Sequence, residues 1–155
     1  MSIEPAYAAF VAAVATSLVE AGFLSAAGKL EVDPEDLIEP DGSALETKRS
    51  ASVEKGETAP VRQMLGRPEQ RWIVERTCRV ELLQYGPAQE QRHEVDAAAV
   101  AAMARIAVDL PTKPGVFERL FLDSSEFTPV DPNGASYAFT FRIRVRSGDP
   151  LGVTP

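Results

Sequence analysis

Residues 137–151, YAFTFRIRVRSGDPL, alternate between two kinds of side chain. Because successive side chains of a β-strand point to opposite faces, this pattern predicts a strand with one apolar and one polar face. The apolar face comprises Tyr137, Phe139, Phe141, Ile143 and Val145, and the polar face carries Arg142, Arg144 and Arg146. The fold must therefore bury one face of this strand and leave three arginines on the other.

Residues 71–85, RWIVERTCRVELLQY, predict a second strand of the same type. One parity is apolar from Trp72 to Leu82 and is interrupted by Arg76 alone. The opposite parity carries Glu75, Arg79 and Glu81, and Gly86–Pro87 ends the strand. If both strands belong to one sheet, these charges lie on the same face as the three arginines.

Two segments have the composition and periodicity of helices. Residues 3–21 place apolar side chains three and four positions apart, with Ser2 and Gly22 as candidate caps. Residues 89–108 are rich in helix-forming alanine. The predicted fold is α+β: one domain over residues 1–155, with an antiparallel or mixed sheet and both helices packed on its apolar face.

The segments between these elements have weaker patterns. Residues 29–60 are acidic and polar, which predicts a long loop or arm with short strands that is either exposed or ordered by a partner. Residues 61–65 suggest a short strand. Residues 116–130 suggest a short helix or turn leading into a strand, and the Asn133–Gly134 pair predicts a hairpin into the last strand.

The composition argues against several classes of function. The formal net charge is −7 at pH 7, whereas a protein that grips duplex DNA is usually basic. Neither a membrane-spanning run nor a basic signal-peptide start occurs, so we expect a cytoplasmic product. His93 and Cys78 are the only residues of their types, and no glycine-rich phosphate loop is present. We therefore expect no enzyme activity, cofactor or metal.

Two interpretations of the arginine-bearing face remain open. In the first, Arg142, Arg144 and Arg146 form an intramolecular ladder with Glu75, Arg79 and Glu81. In the second, this face contacts another subunit, because arginine binds carboxylates through two parallel hydrogen bonds. The acidic groups that would reach across are Glu31, Asp33, Glu35, Asp36 and Glu39.

Three stretches together resemble the tail-terminator, or tail-completion, proteins of long-tailed bacteriophages and gene transfer agents. These are the charged strand at 72–86, the alanine-rich helix at 95–110, and the closing basic strand with its Asp149–Pro150–Leu151 exit. The N-terminal helix and the following loop also fit this family. The shared features are patterns of residue type and include no catalytic residues.

The resemblance implies an α+β subunit of a hexameric ring at the head-proximal end of the tail tube. Such a ring ends tube polymerisation and joins the tail to the head connector or stopper. Its partners would be further copies of itself, the tail-tube protein and the connector, while DNA passes through without specific binding. The protein would act in the host cytoplasm during assembly and then belong to the tail of the virion or phage-like particle.

Three alternatives remain. The protein is another tail-tube or neck subunit, a small-ligand-binding α+β enzyme domain with a pocket between sheet and helices, or an adaptor that binds one protein through its acidic segment. Concentration-dependent oligomers without ligand would favour the tail-terminator ring, and ligand-dependent stabilisation would favour the small-ligand-binding domain. A run of capsid and tail genes beside this one would favour the ring over the adaptor.

Overall fold

The computed structural model describes residues 2–34, 48–86, 95–110, 117–130 and 134–153. These residues form a five-stranded mixed sheet with the strand order β1-β2-β3-β5-β4. Neighbouring strands are antiparallel, except that β1 and β2 are parallel. The elements in chain order are α1 (Glu4–Glu20), β1 (Glu31–Val32), β2 (Lys48–Gln63), β3 (Trp72–Tyr85), α2 (Ala97–Asp109), β4 (Arg119–Val130) and β5 (Gly134–Ser147). The predicted α+β class is confirmed.

The two strands predicted from alternation, β3 and β5, lie side by side in the sheet. They pair without a register shift from Trp72 opposite Ser147 to Tyr85 opposite Gly134. Their apolar parities are buried, with Val74, Cys78 and Phe141 fully inaccessible to solvent. Period-2 patterning therefore located both strands and assigned their buried faces correctly.

Both helices contribute side chains to the same core as these strands. Phe10 of α1 packs against Phe141 of β5 with ring centroids 5.1 Å apart. Val14 and Leu18 of α1 and Met103 of α2 are fully buried in that core. The helices contact each other, and the apolar parity of the sheet shares one continuous hydrophobic cluster with them.

A left-handed glycine ends α1, as the sequence predicts. Gly22 has φ +76°. Its N–H bonds the carbonyl of Val19, and the N–H of Phe23 bonds the carbonyl of Leu18, which is the Schellman arrangement. This left-handed turn directs Phe23 back into the core. At the other end of α1, before its first turn, the Ser2 hydroxyl accepts a hydrogen bond from the Glu4 N–H at 3.3 Å.

The prediction of a loop over residues 29–60 is wrong for residues 48–60. They belong to β2, which pairs with β3 along its length, with register shifts between Lys55 and Thr58 and between Pro60 and Arg62. Only Ala51 and Val53 of β2 are buried, so the strand has almost no apolar alternation by which to recognise it. Backbone pairing to β3 defines the strand instead. Residues 35–47 lie outside the described residues.

Two other predictions need adjustment. The helix expected at 89–108 is observed as Ala97–Asp109, where the Asp96 side chain accepts the Ala98 N–H at 2.8 Å as an N-cap. Residues 87–94 lie outside the described residues. The segment expected to begin as a helix or turn is strand β4 from Arg119 onward, at the edge of the sheet and mostly exposed. Val130 pairs with Gly134, so β4 and β5 are joined by the short segment 131–133.

At Gly134, an added methyl group should disturb the sheet. A Cβ atom there would lie 2.5 Å from the ring of Tyr85, and that ring is itself buried. We expect Gly134→Ala to lower the free energy of unfolding by about 1–3 kcal/mol, as overpacking does. Urea denaturation measures the change. Gly28→Ala, where nothing lies within 4 Å, is the control, and equal stability of the two variants would contradict this packing.

Candidate functional site

The polar parities of β3, β5 and β4 form a charged surface on the opposite side of the sheet from the core. We call this surface the outer face. Its charged residues in the described part of the chain are Glu75, Arg79, Glu81, Arg119, Glu126, Arg142, Arg144 and Arg146, and Asp123 and Glu118 reach it from β4 and the residue before it. The outer face contains all three arginines from which the fold was first inferred.

Glu75 is the centre of the outer face. Arg142 Nη1 donates to Glu75 Oε1 at 2.7 Å, and Arg144 Nε donates to Glu75 Oε2 at 2.7 Å. The Glu75 side chain is only 11% exposed, so one shielded carboxylate holds two guanidinium groups. Burial alone would raise the pKa of Glu75, but the hydrogen bonds from Arg144 and Arg142 outweigh it, and the pKa is lowered.

The network extends from Glu75 toward the sheet edge. Arg142 Nε also lies 3.3 Å from Asp123 Oδ2. Asp123 stands at the irregularity between Leu122 and Ser124, where β4 has one residue more than β5. Arg146 binds both carboxylate oxygens of Glu118, at 2.9 and 3.1 Å. Each of the three arginines therefore has an acidic partner within its own chain.

The aromatic ring of Phe121 lies close to two guanidinium groups of the outer face. The Phe121 ring centroid is 5.0 Å from the Arg119 guanidinium carbon and 5.2 Å from that of Arg144. Arg119 stands directly opposite Arg144 in the β4–β5 register. Within the described part of the chain, Arg119 forms no ion pair and is exposed to solvent. It is thus a cation on this surface whose donors remain available to a partner.

The structure brings together part of the predicted site. Glu75 joins Arg142 and Arg144, as the intramolecular interpretation requires, but Arg146 is paired with Glu118 instead of a residue of β3. Arg79 and Glu81 pair with each other at 3.3 Å, further along β3. The predicted contact of the arginines with another subunit stays a prediction.

The acidic residues proposed to reach a neighbour have different positions. Asp33 is held within its own chain, because it accepts the Tyr7 hydroxyl at 3.1 Å and the Lys55 N–H at 2.7 Å. Glu31 is exposed on β1. Glu35, Asp36 and Glu39 lie outside the described residues. Asp33 is therefore engaged within its own chain, and the predicted contact of these acidic residues with a neighbour stays a prediction.

Arg76, on the core side of β3, forms an ionic contact that the sequence did not predict. Its Nη2 donates to Glu4 Oε1 at 2.8 Å, its Nε donates to Thr58 at 2.9 Å, and its guanidinium lies 5.3 Å from the Tyr7 ring. The hydrogen bond from Arg76 lowers the pKa of Glu4. The signal was the single interruption of the apolar parity, which marks a buried charge that needs a partner.

Of the two residues considered for catalysis, Cys78 is the one that the structure describes. Cys78 is fully buried, and burial raises the pKa of its thiol to about 12, so the thiol is protonated near neutral pH. His93 lies outside the described residues. Across residues 2–34, 48–86, 95–110, 117–130 and 134–153, no three His, Cys, Asp or Glu side chains cluster as metal ligands would.

A cavity of about 700 Å³ lies beside the end of α1. Its lining includes Phe23, Lys29, Glu31 and Arg49. Arg49 is already engaged, because its guanidinium donates to the Gly22 carbonyl at 3.0 Å and to Asp96 at 3.2 Å. Lys29, the other cation of this lining, has no ion pair among the described residues.

Protein-family models and curated proteins give no relative from which to transfer a function. No protein-family model and no curated protein matches the chain. In the described residues, neither helix is long and apolar enough to span a membrane. The function must therefore be inferred from the residues and geometry described above.

Replacing Glu75 tests whether the outer face depends on this carboxylate. We expect Glu75→Gln to lower the free energy of unfolding at pH 7 by about 1–3 kcal/mol, since two guanidinium groups lose their ionised partner. The pKa of Glu75 is lower in the folded chain than in the unfolded chain, where it is about 4.3. The ionised carboxylate therefore stabilises the fold at pH values above about 4.3, and this stabilisation is lost as the pH falls through the folded pKa. The difference in free energy of unfolding between variant and parent should therefore become smaller below about pH 4.

Urea denaturation at pH 7, 5 and 3 measures this difference. The control is Glu126→Gln, which removes an exposed carboxylate of the same face that has no ion pair among the described residues. If both variants have the same stability at pH 7, Glu75 does not organise the outer face.

Proposed function

We propose that this protein is a non-enzymatic structural subunit that forms a ring at the head-proximal end of a phage-type tail tube. The ring ends tube polymerisation and joins the tail to the head connector. The sequence resemblance to tail-terminator proteins gives the proposal its biological setting. The proposal is supported chiefly by the outer face, a charged sheet surface whose arginines remain partly exposed to solvent.

The ion pairs of the outer face suit it to repeated protein contacts. Glu75, Asp123 and Glu118 hold the long side chains of Arg142, Arg144 and Arg146 in fixed positions. Arginines that are ordered before binding lose less conformational entropy in an interface. These side chains remain partly exposed, and Arg119 beside them has no ion pair among the described residues. The surface can therefore accept carboxylates from a neighbour without rearrangement.

Ring formation and the overall charge agree with this function. A contact between two different surfaces of one chain, repeated by rotation, closes a ring. A formal charge of −7 disfavours tight binding of DNA, so such a ring could surround passing DNA without retaining it. Six copies is the number that the family resemblance implies.

Two other functions remain as alternatives. A tail-tube or neck subunit would use the same surfaces and differs only in its place along the particle. A small-ligand-binding domain would use the cavity that contains Lys29 and Glu31. A ligand that raises the melting temperature, together with a monomer at every protein concentration, would favour the latter.

Immunogold labelling tests the proposed place in the particle. An N-terminally tagged copy is expressed in the native host, and the lysate is viewed by negative-stain electron microscopy. We expect gold at one end of a tail or at the head–tail junction. Gold along the whole tail would identify a tube subunit. Absence of gold from every particle, with the tag shown to be accessible, would contradict the proposal.

A charge reversal at Arg119 tests the role of the outer face. Arg119→Glu should leave the melting temperature nearly unchanged, because its contact in the described structure is the exposed stacking on Phe121. We expect at least a severalfold loss of labelled particles when a carboxylate replaces this cation. Arg105→Glu, on α2, is the control with full labelling. Equal labelling of the two variants would exclude Arg119 from the partner contact.

A further inference from the structure

Two arginines stand directly opposite each other at the β4–β5 end of the outer face. Arg119 of β4 is the register partner of Arg144 of β5. Like charges at opposite positions of neighbouring strands repel each other. The Phe121 ring lies near both guanidinium groups, with its centroid 5.0 and 5.2 Å from their carbon atoms. We call these three residues the two-arginine site, and a bound anion would relieve its repulsion.

Both arginines of this site keep hydrogen-bond donors that the described part of the chain does not use. Arg144 donates to Glu75 through Nε, and its two terminal nitrogens have no hydrogen bond among the described residues. Arg119 is exposed, and its contact within those residues is the stacking on Phe121. A guanidinium group binds a carboxylate through two adjacent nitrogens. The site can therefore bind a carboxylate while the bond to Glu75 stays intact.

The acidic residues at this end of the outer face already have partners. Glu75, Asp123 and Glu118 are bonded to the three arginines of β5, and Glu118 uses both of its oxygens. Three carboxylates thus accompany four arginines, and Arg119 is the fourth. Among the described residues, one positive charge of this surface is therefore left without an anion.

The excess of negative charge in this chain belongs to one stretch. Residues 30–47 contain seven of the 23 acidic residues and no lysine or arginine, so the rest of the chain carries 16 residues of each sign. Asp33 is engaged with Tyr7, and Glu31 lines the cavity beside α1. We call residues 35–47, which lie outside the described residues, the acidic segment. Its carboxylates belong to Glu35, Asp36, Glu39, Asp41 and Glu46.

The two-arginine site and the acidic segment belong to opposite edges of the sheet. β4 is one edge strand, whereas the acidic segment connects β1 to β2 at the other edge. Three strand spacings, or about 15 Å, separate β2 from β4. A contact between site and segment would thus join one edge of a copy to the opposite edge of another. Such a contact is head-to-tail and leaves one site and one segment free on every pair.

We propose that the acidic segment of one copy places a carboxylate between the two arginines of the next copy. The unpaired cation and the uncompensated block of carboxylates are complementary, which selects this occupant. Repetition of the contact by rotation closes a ring. This inference names the partner of the outer face and rests on the ring of the proposed function, but it does not depend on a place in the tail.

Complementation between two variants tests the contact. Arg119→Glu removes the unpaired cation, and the triple variant Glu35→Gln, Asp36→Asn, Glu39→Gln neutralises most of the acidic segment. Each variant alone should self-associate roughly tenfold or more weakly than the parent in sedimentation velocity at low salt. An equimolar mixture should form dimers that grow no further, because it contains one intact site and one intact segment per pair.

A matched control removes three carboxylates elsewhere. Glu20→Gln, Glu57→Gln, Glu69→Gln changes exposed residues outside the acidic segment, and it should associate like the parent. A mixture of the two test variants that stays monomeric would overturn the proposal. It would also be overturned if neutralising the acidic segment had no more effect than this control.

A zero-length cross-link identifies the bound carboxylate without disturbing the charge of the site. Arg119→Lys provides an amine that a water-soluble carbodiimide joins to a carboxylate in contact with it. The isotope-labelled variant is mixed with unlabelled parent, so that a contact between copies gives products with one labelled half. We expect these products to contain residues 35–46, at a severalfold higher yield than with Arg105→Lys on α2. Products with both halves labelled alone, or a different carboxylate, would overturn the proposal.

The outcomes separate this contact from the proposed function. If the variants fail to complement each other while gold still marks the tail end, the contact is wrong and the proposed function stands. If they complement each other and gold marks no particle, the contact between copies is real and the proposed function fails.

Discussion

The outer face of the sheet depends on one carboxylate that binds two arginines across a strand pair. Glu75 on β3 accepts hydrogen bonds from Arg142 and Arg144 on β5, both at 2.7 Å. Without that charge, three long cationic side chains would stand on adjacent positions of one face and repel one another. The ionised carboxylate, with Asp123 and Glu118 at the edge, allows an arginine-rich strand to occupy an inner position of the sheet.

The opposite face of β3 uses the same chemistry for a different purpose. Arg76 is buried among apolar residues and binds Glu4 at the start of α1 and Thr58 on β2. Nearby, Asp33 accepts the hydroxyl of Tyr7, so the helix and the edge strand β1 are joined by a second polar contact. Buried charges are costly unless paired, and these pairs fix where α1 lies along the sheet. Hydrophobic packing forms the core, and these polar contacts set the position of α1 along the sheet.

The sequence predicted an element where burial of one face makes apolar side chains recur at regular spacing, and it did not where that pattern is absent. β3, β5 and α1 were predictable because one face of each is apolar. β2 was mistaken for a loop because its two buried side chains, Ala51 and Val53, form no pattern in a polar strand. The pairing of Glu75 with arginines followed from assigning both strands to one sheet. The roles of Glu118 and Asp123 could not be foreseen, since they depend on the register of β4 and its extra residue.

The central claim is that copies of this chain close into a ring through two different surfaces. Negative-stain class averages of the purified, untagged protein at rising concentration test it most directly. The account predicts closed rings of uniform diameter with a central channel, in equilibrium with monomers at low concentration. Monomers at every concentration, or open filaments of indefinite length, would contradict it.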